Sequence, residues 1–229
     1  MGDNDNGPDH SQFGEQPIIL DFFRTTDRRY SRFCVDAGAF DGTVGSNSRA
    51  IFQQGWPGIA IEPNPRSFER LSALYKDRPD IICIQNALSS QPANAAQMKF
   101  CVGPIGTPEE DKWQYGQVST LSDFFAKHYE TNHQWTYEAG FVDIVTLTSV
   151  LREHGASRDF GFLSIDCEAE DLKVLEGFDM EEFRPLLICV ECGDPHRHLF
   201  SNLLEPKGYV FHAKTQSNSF YVRGNDEGL

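Results

Sequence analysis

Two short apolar runs, each ending in a carboxylate and lying about one helix apart, constrain this chain more than anything else in it. Residues 33–36 lead into Ala37-Gly38-Ala39-Phe40-Asp41-Gly42, and Ile59-Ala60-Ile61 leads into Glu62-Pro63-Asn64-Pro65. In a doubly wound parallel sheet, adjacent strands that end this way aim a loop and an acid at one crevice. Glycine lets the backbone approach a ligand closely, and the second acid can accept both hydroxyls of a ribose. The pattern predicts a nucleoside-cofactor crevice.

The rest of the chain extends the alternation. Residues 18–23 read as a short helix and 32–36 as the first strand. Residues 44–54 read as a helix stopped by Gly55 and Pro57, and 59–62 as the second strand. Phe68, Leu71, Leu74 and Tyr75 recur at helical spacing within 66–77, ahead of a third strand at 81–85. Strands at 160–166 and 186–191 then alternate with helices at 169–176 and 196–204. A polar gap between 209–213 and 219–223 suits a hairpin. The predicted class is α/β: a three-layer Rossmann-like sandwich with a mostly parallel seven-stranded sheet and an antiparallel last strand. Residues 98–146 interrupt the pattern with a strand at 98–102, a loop at 103–118, an amphipathic helix at 121–129 and a strand at 141–146. They read as an insertion or lid on a single domain spanning 11–229, behind a disordered tail at 1–10.

Charge narrows the partners. The 229 residues carry 34 Asp+Glu against 20 Lys+Arg, a formal charge of -14. With no Lys/Arg run, such a surface repels a phosphate backbone, so no nucleic-acid partner is expected. The polar, acidic start is no signal peptide and no apolar run is long enough to span a membrane, so the expectation is a cytoplasmic protein without a membrane partner. Cys189 and Cys192 have CxxC spacing but lie in a strand-like run with no second pair, so the six cysteines read as reduced core thiols.

Asp36-x-Gly38-x-Phe40-x-Gly42 resembles the first motif of the large S-adenosylmethionine (SAM)-dependent methyltransferase fold, with Phe40 where a glycine often stands. Glu62 and Asn86-Ala87 then end the next two strands. A NAD site is the rival. However, the GxGxxG fingerprint is absent, and Asp36 would repel a pyrophosphate while suiting an ammonium and a sulfonium. Further blocks follow in order: Ser11-Gln12-Phe13-Gly14-Glu15, Ser46-Asn47-Ser48, Gly55-Trp56-Pro57-Gly58, Asn86-Ala87-Leu88-Ser89, Val145-Thr146-Leu147, Leu163-Ser164-Ile165-Asp166-Cys167-Glu168-Ala169-Glu170 and Arg184-Pro185…Val190-Glu191. Together, over residues 11–192, the chain resembles the FkbM family of SAM-dependent methyltransferases. It departs from the usual pattern at Cys167, commonly Val, and Ala169, commonly Gly.

That resemblance implies O-methylation of a hydroxyl on a sugar or other small molecule. It implies that Asp36, Gly38, Ala39 and Asp41 form the loop under the methionine moiety and that Asn47 binds its carboxylate. Glu62 and Pro63 would hold the ribose, and Asn86 and Ala87 would border the adenine. Asp36 and Asn47 have capping alternatives, and Glu62 could be a solvated strand end. Three readings fit Asp166, Glu168, Glu170 and Glu191. Asp166 and Glu191 could hold Mg²⁺; Asp166 or Glu168 could be a metal-free base; or Asp166 could help hold SAM while Glu168 and Glu170 cap the next helix. His196 is a further base candidate, although surface histidines are often incidental. Trp113, Tyr115, His128, Tyr129, His133, Trp135 and Tyr137 crowd the insertion, either to stack on a ring-bearing acceptor or as the lid's own core. An NAD-dependent oxidoreductase and a non-catalytic SAM-binding protein remain as alternatives.

Overall fold

Residues 8–224 are described by a computed structural model; residues 1–7 of the expected tail lie outside the described residues. The first half of the central layer is built from α1 (Glu15–Thr25), β1 (Ser31–Ala37), α2 (Arg49–Gln53), β2 (Gly58–Ile61), α3 (Pro65–Tyr75) and β3 (Ile81–Ile84). A second, smaller sheet follows from β4 (Ala87–Leu88), β5 (Ala93–Pro104) and, after α4 (Asp123–His133), β6 (Trp135–Val145). The chain then completes the central layer with α5 (Leu147–Glu153), β7 (Phe160–Ile165), α6 (Asp171–Glu176), β8 (Leu187–Glu191), α7 (Arg197–Leu204), β9 (Tyr209–Lys214) and β10 (Asn218–Arg223).

The seven strands lie in the order β3-β2-β1-β7-β8-β10-β9, all pairings parallel except those of β10, which is antiparallel to both neighbours. Every residue of β2 and β7 is buried, as expected of parallel strands covered on both faces. One face packs Val35, Leu163 and Ile188 against Leu151, Val174 and Leu204 of α5, α6 and α7. The other packs Cys34, Phe162 and Cys189 against Ile19, Ile51 and Leu71 of α1, α2 and α3. This is a three-layer sandwich, as the alternation predicts. Strand order reverses between β1 and β7, which creates a switch point where ligands bind in such sheets. Register makes the strand ends level there, with Ala37 opposite both Ile61 and Ile165.

Local chemistry sets the element ends. Asn64 caps α3 by accepting from the Arg66 N–H, with Pro65 at the first helical position. The helix expected at 44–54 is corrected to 49–53. Gly42 and Gly45 take left-handed φ of 75° and 65°, and Asp41 Oδ1 accepts the Thr43 and Val44 N–H groups, both at 2.8 Å. That turn competes with helix over 41–45. The two strands of the excursion are longer than 98–102 and 141–146, because β5 and β6 pair with each other as far as Pro104 and Trp135. Part of the expected loop at 103–118 is 3₁₀-helical, over Glu109–Val118. All six cysteines are free, and no helix of the described residues is long and apolar enough to cross a membrane.

Candidate active site

Gly38, Glu62 and Asp166 each follow directly on a strand of the switch point. Gly38 has φ +86°, and a Cβ there would sit 1.7 Å from the Asp166 carbonyl oxygen. The Gly38 and Ala39 N–H groups both donate to the Ile61 carbonyl at 2.9 Å, which folds the loop across β2. Glu62 closes the turn. Its carboxylate accepts the Phe40 N–H at 2.9 Å and the Asn64 N–H at 2.7 Å. Burial pushes Glu62 up to about 8 against the pull of those two bonds, with Asp36 and Asp166 adding repulsion. Asp36 is raised to about 6 by burial and held from rising further by the Ser48 hydroxyl that donates to it.

These ends open on a cavity of about 800 Å³. Asp36, Gly38, Ala39, Asn47, Glu62, Pro63, Asn86, Ala87, Asp166, Glu168 and Glu191 all line it. Two expected site residues do not. Asp41 is absent from the lining and is spent on its own turn. His196 is exposed on the short 3₁₀ turn Asp194–His196, away from the lining. Asn86 is partly committed to structure, its amide donating to the Asp143 carbonyl at 3.1 Å. Asn47 has a buried Oδ1 with no partner, beside a long 3.7 Å contact from its Nδ2 to Cys189 Sγ. An orphaned acceptor there fits an ammonium donor, and a carboxylate at Glu62 fits ribose hydroxyls.

Beyond the crevice lies an acidic cluster. Asp166 and Glu191 share a hydrogen bond; burial raises Asp166 to about 6, and the Asp166 charge, more than burial, pushes Glu191 up to about 10. The pair holds one proton between them near neutral pH. Asp171 joins it, with one oxygen of each of the three groups within 4.8 Å of the others. Its Oδ1 accepts the Cys167 N–H at 2.8 Å, and burial raises it to about 7. The sequence reading missed Asp171, whose only signal was its place at the start of the helix that follows Asp166. Glu170 stands at the N-cap position of α6, but its side chain makes no capping hydrogen bond, and Glu168 lies outside the cap. Glu170 is taken by Ser89 and Lys173, at 3.0 and 2.7 Å, and burial lifts Glu168 well above the carboxylate range.

Glu168 and Ala169 have φ of 50° and 76°, two consecutive left-handed residues that lack glycine's freedom. Thr120 Oγ1 donates to the Glu168 carbonyl at 2.7 Å and holds the turn from the smaller sheet. Left-handed alanine costs about 1–2 kcal/mol, partly offset by the extra unfolded-state entropy of glycine. Ala169→Gly is therefore expected to stabilise the protein by ~1 kcal/mol, read as a rise in urea midpoint at constant slope. A lower midpoint would refute strain at this turn.

Aromatic rings close the other side. Tyr129 stacks on Trp135 with centroids 5.1 Å apart and planes at 22°, and on His133 at 5.1 Å and 30°. All three line the cavity. Phe40, itself left-handed at φ 51°, stacks on Trp113, which carries the Arg70 guanidinium 3.6 Å above its ring.

A glycine loop on the first strand, an acid on the second and an open carboxylate cavity at the switch point of this sheet define a SAM-dependent methyltransferase. The family model for the methyltransferase FkbM domain matches residues 36–211, and the chain belongs to that family. No curated protein matches it. Among solved structures it is similar to a proposed RNA methyltransferase from Pyrococcus horikoshii, with 9% identity, TM-score 0.46 and 96% and 90% of the two chains covered. It is also similar to a precorrin-6y C5,15-methyltransferase from Geobacter metallireducens, with 8% identity, TM-score 0.45 and 97% and 96% covered. A third is a TehB-like SAM-dependent methyltransferase from Corynebacterium glutamicum, with 8% identity, TM-score 0.43 and 95% and 90% covered.

Proposed function

We propose that the protein O-methylates a hydroxyl of a small molecule, a sugar or another ring-bearing compound, in the cytoplasm. The observation that carries this reading is the Asp166–Glu191 pair, which opens on the same cavity as the cofactor crevice. SAM supplies a methyl on a sulfonium: the acceptor oxygen forms the new C–O bond as the S–C bond breaks, and sulfur keeps the electron pair. Asp166 takes the hydroxyl proton, a task suited to a carboxylate whose pKa burial has raised to about 6. Asp36 and Asn47 hold the amino-acid head, Glu62 the ribose, and Asn86 and Ala87 border the base. Much of the rate then comes from positioning the two reactants in line.

Residues 98–146 act as the lid in this reading, since Met98, Leu121, Tyr129 and Trp135 wall the cavity. The acidic lining argues against a nucleic-acid acceptor, and the free thiols suit a reducing compartment. A divalent cation is the second reading, favoured by the closeness of Asp166, Asp171 and Glu191. Their hard oxygens fit Mg²⁺, which when bound would lower the pKa of the acceptor hydroxyl. Turnover unchanged by EDTA would remove it.

Calorimetric titration with S-adenosylhomocysteine tests the main reading. Wild type should bind, and Glu62→Ala, checked for folding by circular dichroism, should bind about 100-fold more weakly, since both hydrogen bonds to the ribose hydroxyls are lost. No binding by wild type, or equal binding by the mutant, would overturn the cofactor assignment and return attention to a nicotinamide nucleotide.

A further inference from the structure

We propose that the side-chain amide of Gln12 and the hydroxyl of Ser217 hold the carboxylate of the cofactor's amino-acid head. The inference rests on the methyltransferase reading and completes its cofactor site from segments outside the family match, which runs from 36 to 211. In that reading the head lies at Asp36 and Asn47, and its ammonium meets the unpartnered Asn47 Oδ1. Its carboxylate then needs donors. Six carboxylates line the cavity, and among the described residues no lysine or arginine does. An anion entering such a cavity is stable only where neutral N–H or O–H groups meet it. Around Asn47 such groups are largely spent. The Asn47 amide nitrogen is engaged with Cys189 Sγ at 3.7 Å, and the Ser46 hydroxyl lies 3.3 Å from Ser48 Oγ and accepts the Arg49 N–H at 3.1 Å.

Gln12 and Ser217 line the same cavity, and among the described residues neither side chain makes a hydrogen bond. Their backbones are fixed. Ser11 pairs with Gly45 in an isolated parallel bridge, which brings the strap 11–13 alongside residues 45–47. Gln16 secures that strap, donating its N–H to Ser11 Oγ and accepting the His10 N–H, both at 3.0 Å. Glu15 is wholly buried and joins the strap to the turn between β9 and β10. One of its oxygens accepts the Phe13 N–H at 2.8 Å; the other accepts the Asn218 amide at 3.0 Å and the Thr215 hydroxyl. Ser217 is also tied to the end of β8, its carbonyl accepting the Cys192 N–H at 2.7 Å. Two unpartnered donors on anchored backbone are pre-organised for an anion, and holding it through them buries no further charge of the protein.

Two ligands that differ only in the carboxylate make the test: S-adenosylhomocysteine and its decarboxylated analogue, which keeps the amine and the nucleoside. Each is titrated calorimetrically into wild type, Gln12→Ala, Ser217→Ala and Gln12→Glu. Wild type should bind S-adenosylhomocysteine at least about tenfold more tightly than the analogue, as hydrogen bonds to a charged group require. Gln12→Ala and Ser217→Ala should each weaken S-adenosylhomocysteine about tenfold and leave the analogue within about twofold of wild type. In Gln12→Glu a carboxylate faces a carboxylate, so the preference should reverse in favour of the analogue. Equal losses for both ligands in either alanine variant, or unchanged binding of S-adenosylhomocysteine by either, would overturn the proposal. So would a preference for S-adenosylhomocysteine that survives Gln12→Glu. Failure of wild type to bind either ligand would refute the methyltransferase reading itself, a result distinct from all of these.

Discussion

Asp166→Asn is expected to bind S-adenosylhomocysteine nearly as wild type does and to lose about 10²–10⁴-fold in turnover, the usual range for removing a general base. The asparagine keeps the shape of the side chain and a hydrogen bond to Glu191, but cannot accept the acceptor's proton. The pH profile makes the test sharper. Asp166 must be ionised to act, and burial has raised it to about 6. Wild-type kcat should therefore climb about tenfold per pH unit below that value and level off above it. An ordinary carboxylate would already be ionised by pH 5 and would give a flat profile there. Glu191, pushed up to about 10 chiefly by the Asp166 charge, stays protonated across this window and adds no limb of its own. The residual activity of the mutant should lack the limb at 6. Near-wild-type turnover in Asp166→Asn would eliminate Asp166 as the base and leave Glu168, the other carboxylate of the cavity that the sequence offers as a metal-free base.

The parts of this site that were legible in the sequence are those fixed by backbone. Strand ends at Asp36, Glu62 and Asp166 follow from apolar runs of fixed length, and a parallel sheet brings such ends to one edge whatever the side chains do. Asp41 and His196 show the limit. Both lie close in sequence to that edge, but a two-residue turn absorbs Asp41, and His196 is exposed on a separate 3₁₀ turn. Proximity along the chain gives a side chain's neighbourhood and not its direction. Asp171 shows the converse. It sits in the first turn of α6, where an acid usually means a dipole contact, and only the tight turn at Cys167–Glu170 curls it back to Asp166. The aromatic wall was undecidable for a similar reason. Tyr129 and Trp135 meet only because α4 reverses through left-handed Gln134 into β6, a tertiary event that helical spacing does not encode.

Gly38→Ala should be the most destabilising single-methyl change in the cavity loops, costing roughly 3–5 kcal/mol, a large share of an ordinary domain's total. Two penalties combine. The φ of +86° is unfavourable for any residue with a Cβ, and the added carbon would lie 1.7 Å from the Asp166 carbonyl oxygen and 2.7 Å from its carbon. Both obstacles are backbone, so relief requires β1 and β7 to separate just where the Asp166 N–H donates to the Ala37 carbonyl at 2.9 Å. Two neighbouring glycines calibrate the effect. Gly45 is also left-handed, but a Cβ there meets nothing within 4 Å, so Gly45→Ala should show the conformational cost alone, about 1 kcal/mol. Gly42 is left-handed too, and its Cβ would meet Leu74 and Leu71 methyl carbons at 2.8 and 2.9 Å, which can swing aside. Its alanine variant should fall between the other two. Urea midpoints for the three variants in one buffer decide the matter. The order Gly38, Gly42, Gly45 in decreasing loss means that backbone contact between the first loop and the Asp166 strand end is what demands glycine. Equal losses at Gly38 and Gly45 would mean that only the left-handed turn does, and that the loop tolerates displacement from the carboxylate cluster it brings to the cofactor.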